Sequence, residues 1–594
     1  RKAGATARAL LVQAAAKDWK VAPEAITVEK GVLSHPPSGR SAGFGDFAAK
    51  AAALPVPSAV KLKDPKDFRL IGQRLPRVDT AAKVDGSAGY ASDLRLPGML
   101  TALVLRPPRF GAKLKSLDPA AALAVKGVEA VFPISSGVAV VAQSFWTAKT
   151  GREALKVVWD EGGERRGSEA LLAEYRALAQ KPGLPARREG DAEAALAKAA
   201  RVLTAEYTFP YLAHAPMEPL SCVVRLEVDR CEIWAGDQFQ TGDQANAARV
   251  AGLKPEQVGI HTLYAGGSFG RRANPVSDYV VEAVEVAKGL KGRAPVKLLW
   301  TREDDITGGR YRPMYVHALA AGLDESGKLV AWRHRIVGQS ILAGTPFAKS
   351  MVKDGIDKTS VEGASDMPYV IPNLSVELHS TEVGVPVLWW RSVGHSHTAH
   401  ATECFLDEVA AAGGQDPVTL RRAVLGAEFR RERGVLDLAV AKAGWDKPLP
   451  AGWGRGVAVH KSFSSHVAQV AEVSVSASGA VKVERVVCAV DCGIAVNPDV
   501  IAAQIEGGIG FGAALHGAVT LKDGVVEQTN FDSYRVLRMD EMPKVEVHIV
   551  PSAETPTGIG EPGVPPLAPA LANAIHAATG RRLRSLPLDG GMQA

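Results

Sequence analysis

The stretch TGIGEPGVPPLAPALANAIHAATG, residues 557–580, sets one carboxylate, Glu561, in a loop of glycines and prolines that runs into a helix. Gly558 and Gly560 permit backbone angles, and a closeness of ligand approach, that a side chain would block. Pro562 fixes its own φ and biases Glu561 away from the helical region. Leu567, Leu571, Ala574, Ile575 and Ala578 then keep the spacing of a buried helix face, with Pro569 in the first turn and Gly580 at the C-terminal cap. This places Glu561 just before a helix N-terminus, where the dipole favours an ionised carboxylate and so suits a base. The plain alternative is a solvated loop residue.

Around that loop lie 594 residues, too many for one core and enough for roughly three to five domains. Apolar content of 46% and charged content of 23% describe an ordinary globular chain. The balance of 70 Lys and Arg against 64 Asp and Glu gives only +6, and the basic residues are dispersed apart from pairs such as Arg271-Arg272 and Arg421-Arg422. That argues against nucleic acid as a partner. No apolar run approaches the ~18 residues of a membrane span. Five cysteines, Cys222, Cys231, Cys404, Cys488 and Cys492, form no CxxC, and their odd number argues against a full disulfide framework. They are expected to be buried and inert. Two iron-sulfur clusters need about eight thiolates, more than this chain holds.

The pattern along the chain is α+β. Residues 5–19 read as a helix and ITVEKGVL at 26–33 as a hairpin around Lys-Gly. The proline- and charge-rich stretch at 51–68 reads as a linker. The expected divisions are therefore 1–67, a segment completing a domain whose start is missing; 68–160, short strands and helices; 161–200, a linker and a helix; 201–450; and 451–594. Arg1 rather than Met at the start suggests that either natural processing or an artificial truncation removed what preceded it.

Three further patches carry chemistry. GIHTLYAGGSFGRRANPVSDYVVEAVEVAKGL, from Gly259, reads strand, glycine turn, helix, an order in which backbone N–H groups can cradle phosphate, with Arg271 and Arg272 adding charge-assisted bonds; a tight turn is the alternative. His395, His397 and His400 are close enough to suggest zinc, but no further Cys or carboxylate completes a familiar pattern. Arg391, between an aromatic pair and a small-residue turn, is a candidate anion clamp, with an ordinary surface arginine as the alternative. GIGFGA at 508–513 matches a dinucleotide-binding pattern, yet what precedes it reads as a helix from near Pro498, not a buried strand, so a Gly-rich helix against a large ligand is the better reading.

GGSFGRR at 266–272, the segment at Gln238, WWRSVGH at 389–395, QIEGG at 504–508 and GIGEPG at 558–563 together resemble the molybdenum-binding large subunit of the xanthine oxidase family, most of all its bacterial isoquinoline 1-oxidoreductase branch. The resemblance covers nearly the whole chain in order. It implies a multidomain molybdenum hydroxylase large-subunit fold, in which residues 74–100 begin an α/β hammerhead-like domain and two molybdenum-cofactor-binding domains follow. It also implies molybdenum held by a pterin dithiolene with no direct side-chain ligand, usually as molybdopterin cytosine dinucleotide. By motif, Glu561 would be the base that takes the proton from a molybdenum-bound hydroxide. Gln238 would hydrogen-bond the apical oxo group. Gly266, Gly267, Ser268, Phe269, Gly270 and Arg271 would lie against metal and pterin, Arg391 would sit just behind the metal, and Gln504, Gly507 and Gly508 would touch the cofactor.

Two departures narrow the substrate. Purine-oxidising relatives carry an acidic residue where this sequence has Ala273, and carbon monoxide dehydrogenases carry a cysteine where it has Ser392. A glycine-rich DMGQG-type motif of the branch is not found, so a separate N-terminal polypeptide is an expected partner. The resemblance implies a small subunit with two two-iron two-sulfur clusters, in some relatives a cytochrome c subunit as well, and folded export to the periplasm in preference to the cytoplasm. The expected reaction is oxidation of an electron-poor carbon of an N-heteroaromatic compound or of an aldehyde, with water as oxygen source. Trp389, Trp390 and Phe269 are candidates to wall an aromatic pocket, with burial in the core the equal alternative. The competing readings are a non-catalytic scaffold subunit and, least supported, a nicotinamide-dependent dehydrogenase.

Overall fold

Two units build the chain in the computed structural model, Arg1–Leu75 and Pro76–Ala594; the structure describes residues 1–160, 162–476 and 479–588. In the first unit the expected helix runs Lys2–Trp19. The expected hairpin pairs Thr27–Glu29 with Val32–His35 around Lys30 and Gly31, both in the left-handed region at φ 48° and 79°. Arg40–Gly43 adds a third strand, and the Phe44–Ala52 helix closes a small core of Val12, Ala15, Leu33 and Phe47.

The second unit rests on three larger sheets. The first has seven strands, in the order Val258–Thr262, Cys231–Ala235, Ser221–Leu226, Val296–Leu299, Leu100–Leu105, Gly137–Ala142 and Val128–Ile134. Val296–Leu298 pairs in parallel with Leu100–Ala102, so strands from the 68–160 segment and from the 201–450 segment share one sheet. The helices Gln240–Ala251 and Asp278–Gly289 cover it, the second burying Tyr279, Val280, Ala283, Val284, Val286 and Ala287.

The second sheet has five strands, in the order Arg201–Phe209, Tyr315–Leu323, Leu329–Gln339, Asn373–Thr381 and Leu184–Glu189. Its last strand corrects the linker-and-helix reading of 161–200. That segment holds helices at Ser168–Ala179 and Ala192–Lys198 and, between them, an edge strand, LPARRE, whose half-exposed, charged sequence hid it.

The third sheet runs Trp453–Ser462, Ser465–Val475, Val481–Asp491 and Lys544–Ile549. Helix Leu567–Thr579 lies on it at backbone distance, because a Cβ at Gly456 would come within 2.2 Å of Ala574 N. Helix His395–Ala412 packs against both the second and third sheets and against Leu567–Thr579. Sixteen of its eighteen residues, His395 to Ala410, are buried, and its charges are met internally: Glu403 by Arg421, Asp407 by Arg582 and Glu408 by Arg584. Among the described residues no helix is long and apolar enough to cross a membrane. All five cysteines are buried and unbridged, as expected.

Candidate active site

The Glu561 loop joins strand Lys544–Ile549 to helix Leu567–Thr579, and its ends are tied to the third sheet: Thr557 N donates to Cys492 O at 2.9 Å and Gln469 Nε2 to Gly563 O at 2.8 Å. Its centre is held from a different loop. Ser392 N donates to Glu561 Oε2 at 2.8 Å, and Ser392 Oγ to Glu561 O at 2.9 Å. Gly558 and Gly560 are not in the left-handed region. A Cβ on either would meet no protein atom nearer than 3.9 Å, so their value lies in open approach, not in unusual backbone angles.

Burial raises the Glu561 carboxyl above its ordinary value, against the opposing pull of the Ser392 N–H and of the Arg391 charge. The expected help from the helix dipole is corrected. The helix starts at Leu567, six residues on, and the dipole acts over little more than the first turn.

Arg391 joins three of the sequence motifs. Its N–H donates to Phe269 O at 3.0 Å. Its Nε donates to Gly560 O at 2.7 Å, and Nη2 to Gln504 O at 3.0 Å. Nη1 lies beside Gly507, where an added Cβ would stand 3.3 Å away. Gln504 lies in the last turn of helix Pro498–Glu506, and Gly507 and Gly508 form the break before helix Ile509–Leu515, so GIGFGA begins a second helix after a helix, as its context indicated. Arg391 is thus first a tie between loops, not a free anion clamp.

In the glycine turn, Gly267 and Gly270 have φ of 97° and 106° and Phe269 has φ 56°. Ser268 Oγ donates to Gln238 Oε1 and accepts from Arg272 N, which brings Gln238, exposed three residues beyond strand Cys231–Ala235, onto this turn. Gly266 N donates to Glu218 Oε2 at 2.9 Å. The two arginines do not serve as phosphate ligands. Arg272 is buried on Glu218 and on the carbonyls of Gly267 and Gly236, while Arg271 is buried on Asp278 at 2.7 Å and stacks over Trp300. Asp278 occupies the first turn of its helix, its carboxyl drawn down to about 2 against burial by Arg271, so that helix terminus is already neutralised by protein.

The turn and the Trp389–Gly394 loop meet face to face. Neutral His214, held down to about 3 by burial, donates Nε2–H to Trp389 O at 2.8 Å. Ser392 and Val393 also take positive φ, 80° and 49°, so three non-glycine residues in the left-handed region converge here. Such strain persists only where the surroundings fix it, and it marks a preorganised site.

Several contributors were not legible in the sequence. Glu362 accepts from Gly394 N at 2.9 Å and has Asp366, Asp357 and Glu561 acting on it, and burial among these acids raises it to about 8. Phe239, Phe347 and Trp389 form a wall, with ring centroids 5.9 and 6.2 Å apart. Of the expected aromatic residues, Trp389 joins this wall, Phe269 is half-buried in the turn, and Trp390 is buried in the core instead. Phe347 lies far from every motif, so no spacing announced it. The three histidines do not converge: His395 pairs with His460, His397 with His317, and His400 lies by Cys404. Among the described residues no three His, Cys, Asp or Glu side chains form a metal site.

Glycines 558 and 560, open to approach beside Arg391, Gln504 and one half-buried carboxylate, together with the Gln238 amide on the glycine turn, suit a large cofactor held by backbone and amide groups.

Comparison with known proteins gives the same picture. Residues 179–425 and 419–543 each match a molybdopterin cofactor-binding domain. The chain is 31% identical to isoquinoline 1-oxidoreductase subunit beta of Brevundimonas diminuta, over 99% of this chain and 81% of that one. It is 30% identical to a membrane-bound aldehyde dehydrogenase of Gluconacetobacter polyoxogenes, with the same two coverages. In structure it is similar to quinoline 2-oxidoreductase of Pseudomonas putida 86, with a TM-score of 0.74 and 16% identity over 88% of this chain and 97% of that one. The aldehyde oxidoreductase of Desulfovibrio gigas gives a TM-score of 0.73 and 18% identity over 90% and 82%.

Proposed function

Because the chain belongs to the xanthine oxidase family of molybdenum hydroxylases, as a large subunit like that of isoquinoline 1-oxidoreductase, we propose that it oxidises an electron-poor ring carbon of an N-heteroaromatic compound, with Glu561 as general base. It is an oxidoreductase, and its two cofactor-binding domains are those of a molybdenum cofactor. When bound, that cofactor supplies the two-electron redox chemistry and the site of oxygen transfer.

The chain's own part follows from its geometry. Glu561, clamped by Ser392 and raised by burial, is positioned to accept a proton from water-derived oxygen and to release it afterwards to solvent. The Gln238 amide and the 266–270 turn, together with Gln504, Gly507, Gly508 and the Arg391-braced loop, would hold the cofactor. Phe239, Phe347 and Trp389 offer ring faces to a flat substrate and exclude water. The observation that carries the reading is Glu561, held at both ends beside an open glycine face. Ala273 and Ser392 stand where purine- and carbon monoxide-oxidising enzymes would need other residues.

An aldehyde is the second reading, favoured by the likeness to the Gluconacetobacter aldehyde dehydrogenase. We take the cofactor to be the cytosine dinucleotide form. Electrons would leave through a small subunit with two two-iron two-sulfur clusters, a role for which the five buried cysteines of this chain are too few. A cytochrome c subunit is a further proposed partner.

The test is the complex purified with its partner subunits, analysed for molybdenum and released nucleotide, then assayed with quinoline-type heterocycles and with aldehydes in ¹⁸O-labelled water. About one molybdenum per chain and label in a hydroxylated ring support the proposal. Turnover of aldehydes alone selects the second reading, and absence of molybdenum leaves a scaffold.

A further inference from the structure

Behind the loop that carries Arg391 and Ser392 is a narrow cavity, walled by Arg312, Trp389, Trp390, Val393, Gly394 and His397, with room for one occupant the size of a water molecule or halide ion. Arg312, Trp390 and His397 are only 4%, 2% and 1% exposed. Each nevertheless has a nitrogen without a partner: Arg312 Nε, Trp390 Nε1 and His397 Nε2. Orphaned buried groups are rare, and three on one cavity call for a ligand.

The charge in this pocket is uncompensated. Arg312 Nη2 donates to Pro210 O at 2.9 Å, but the groups that help it keep its proton are the phenols of Tyr534 and Tyr315, not a carboxylate; burial depresses it to about 10. A buried cation with no counter-ion is strongly disfavoured. The cavity also lies at the N-terminal end of the eighteen-residue helix His395–Ala412, whose dipole adds positive potential.

The histidines behind it set the polarity of the third donor. His397 Nδ1 meets His317 Nε2 at 2.9 Å, and His317 Nδ1 meets His334 Nε2 at 2.7 Å. Burial keeps all three neutral, so each ring carries one N–H. If the chain runs one way, a buried N–H is stranded at His334 Nδ1, which has no acceptor. If it runs the other way, only a lone pair is left there and His397 Nε2–H points to the cavity. The second arrangement costs less. Three unpartnered donors then belong to residues that line this one cavity, one more than the two lone pairs of a water molecule accept.

We propose that this cavity is a binding site for a small monovalent anion of chloride size, held by Arg312 Nε–H, Trp390 Nε1–H and His397 Nε2–H. Its occupancy braces, from inside, the loop whose outer side holds Glu561.

The experiment is halide titration of the purified holoenzyme at constant ionic strength, sodium chloride or bromide replacing sodium gluconate, read as melting temperature, together with bromide anomalous scattering from soaked crystals. A saturable rise in Tm, a bromide peak in this cavity and loss of both in Arg312→Met are expected. Trp390→Phe keeps the fold's shape and removes one donor, and should raise the half-saturating halide concentration several-fold. Water alone in the cavity with a halide-independent Tm overturns the proposal. So does a halide response that Arg312→Met and Trp390→Phe leave unchanged.

Discussion

Ser392 holds Glu561 at both ends, its N–H on the carboxylate Oε2 at 2.8 Å and its hydroxyl on the Glu561 carbonyl at 2.9 Å. The first contact is a backbone donor, present whatever side chain stands at 392, and it is aimed by the positive φ of Ser392 and Val393. A carboxylate fixed in this way keeps its geometry when its charge is removed.

Glu561→Gln therefore retains the Ser392 N–H contact through its amide oxygen. It is expected to fold, bind the cofactor with unchanged molybdenum content and lose turnover by roughly 10²–10⁴-fold. Steady-state kinetics beside metal analysis check this. Turnover within a few-fold of the parent would remove Glu561 from the base role.

The pH profile tests the same residue electrostatically. Glu561 must be ionised to act, and burial raises its pKa, so kcat/KM should climb with pH through a limb above the usual glutamate range. The nearby Arg391 charge lowers that pKa, so Arg391→Gln should move the limb to higher pH. A limb that stays in place would show that another group titrates.

The parts of the site that spacing could reveal lie on runs of unusual residues: the GIGEPG loop, the GGSFGRR turn and WWRSVGH. The structure brings these together through Arg391, which touches Phe269, Gly560 and Gln504. What the sequence hid has physical reasons. Arg271 and Arg272 look like anion ligands, but their partners Asp278 and Glu218 come from a helix start and a distant loop, and only the fold pairs them. Glu362 and Phe347 reach the site from the connection between two strands of the five-stranded sheet, Leu329–Gln339 and Asn373–Thr381, with no local pattern. In the fold itself, the hairpin at Lys30-Gly31 and the helix after Glu561 were plain from local rules. The edge strand Leu184–Glu189 was not, because no position of LPARRE is buried and a proline and three charged residues leave no apolar alternation.

Glu362 predicts a pH-dependent stability. Desolvation raises its pKa from the ordinary value of 4.5 to about 8, with Asp366, Asp357 and Glu561 adding repulsion and buried, neutral His395 3.7 Å away. The folded protein thus binds a proton that the unfolded chain has released between those values, and stability falls as pH rises from about 4.5 to about 8. Glu362→Gln should flatten that fall, gaining on the order of 2 kcal/mol over the parent at pH 9 relative to pH 4. Denaturant titrations across that range measure it, and parallel curves for the two proteins would refute it.

The Arg421–Glu403 pair is the most deeply buried ion pair on helix His395–Ala412, with Nε to Oε2 at 2.9 Å and Nη2 to Glu403 O at 2.9 Å. Glu403 also accepts from Tyr369 and from Val459 N. Arg421→Met strands a buried carboxylate and should cost about 3–5 kcal/mol. Arg421→Met with Glu403→Gln should recover part of that loss in a double-mutant cycle.

Two glycines separate what the fold needs from what a ligand needs. At Gly270, φ is 106° and a Cβ would stand 2.9 Å from Trp389 O, so Gly270→Ala should force the turn from the Trp389–Gly394 loop and cost about 1–3 kcal/mol, measured as stability of the cofactor-free protein. At Gly560 the φ is ordinary and a Cβ meets nothing nearer than Gln504 Oε1 at 3.9 Å. Gly560→Ala should then leave cofactor-free stability within about 0.5 kcal/mol while reducing cofactor content or turnover, since the space it fills is the space the ligand approaches. Equal stability losses at both positions would show that Gly560 serves the fold, and an unchanged holoenzyme in Gly560→Ala would move the ligand away from the Glu561 loop.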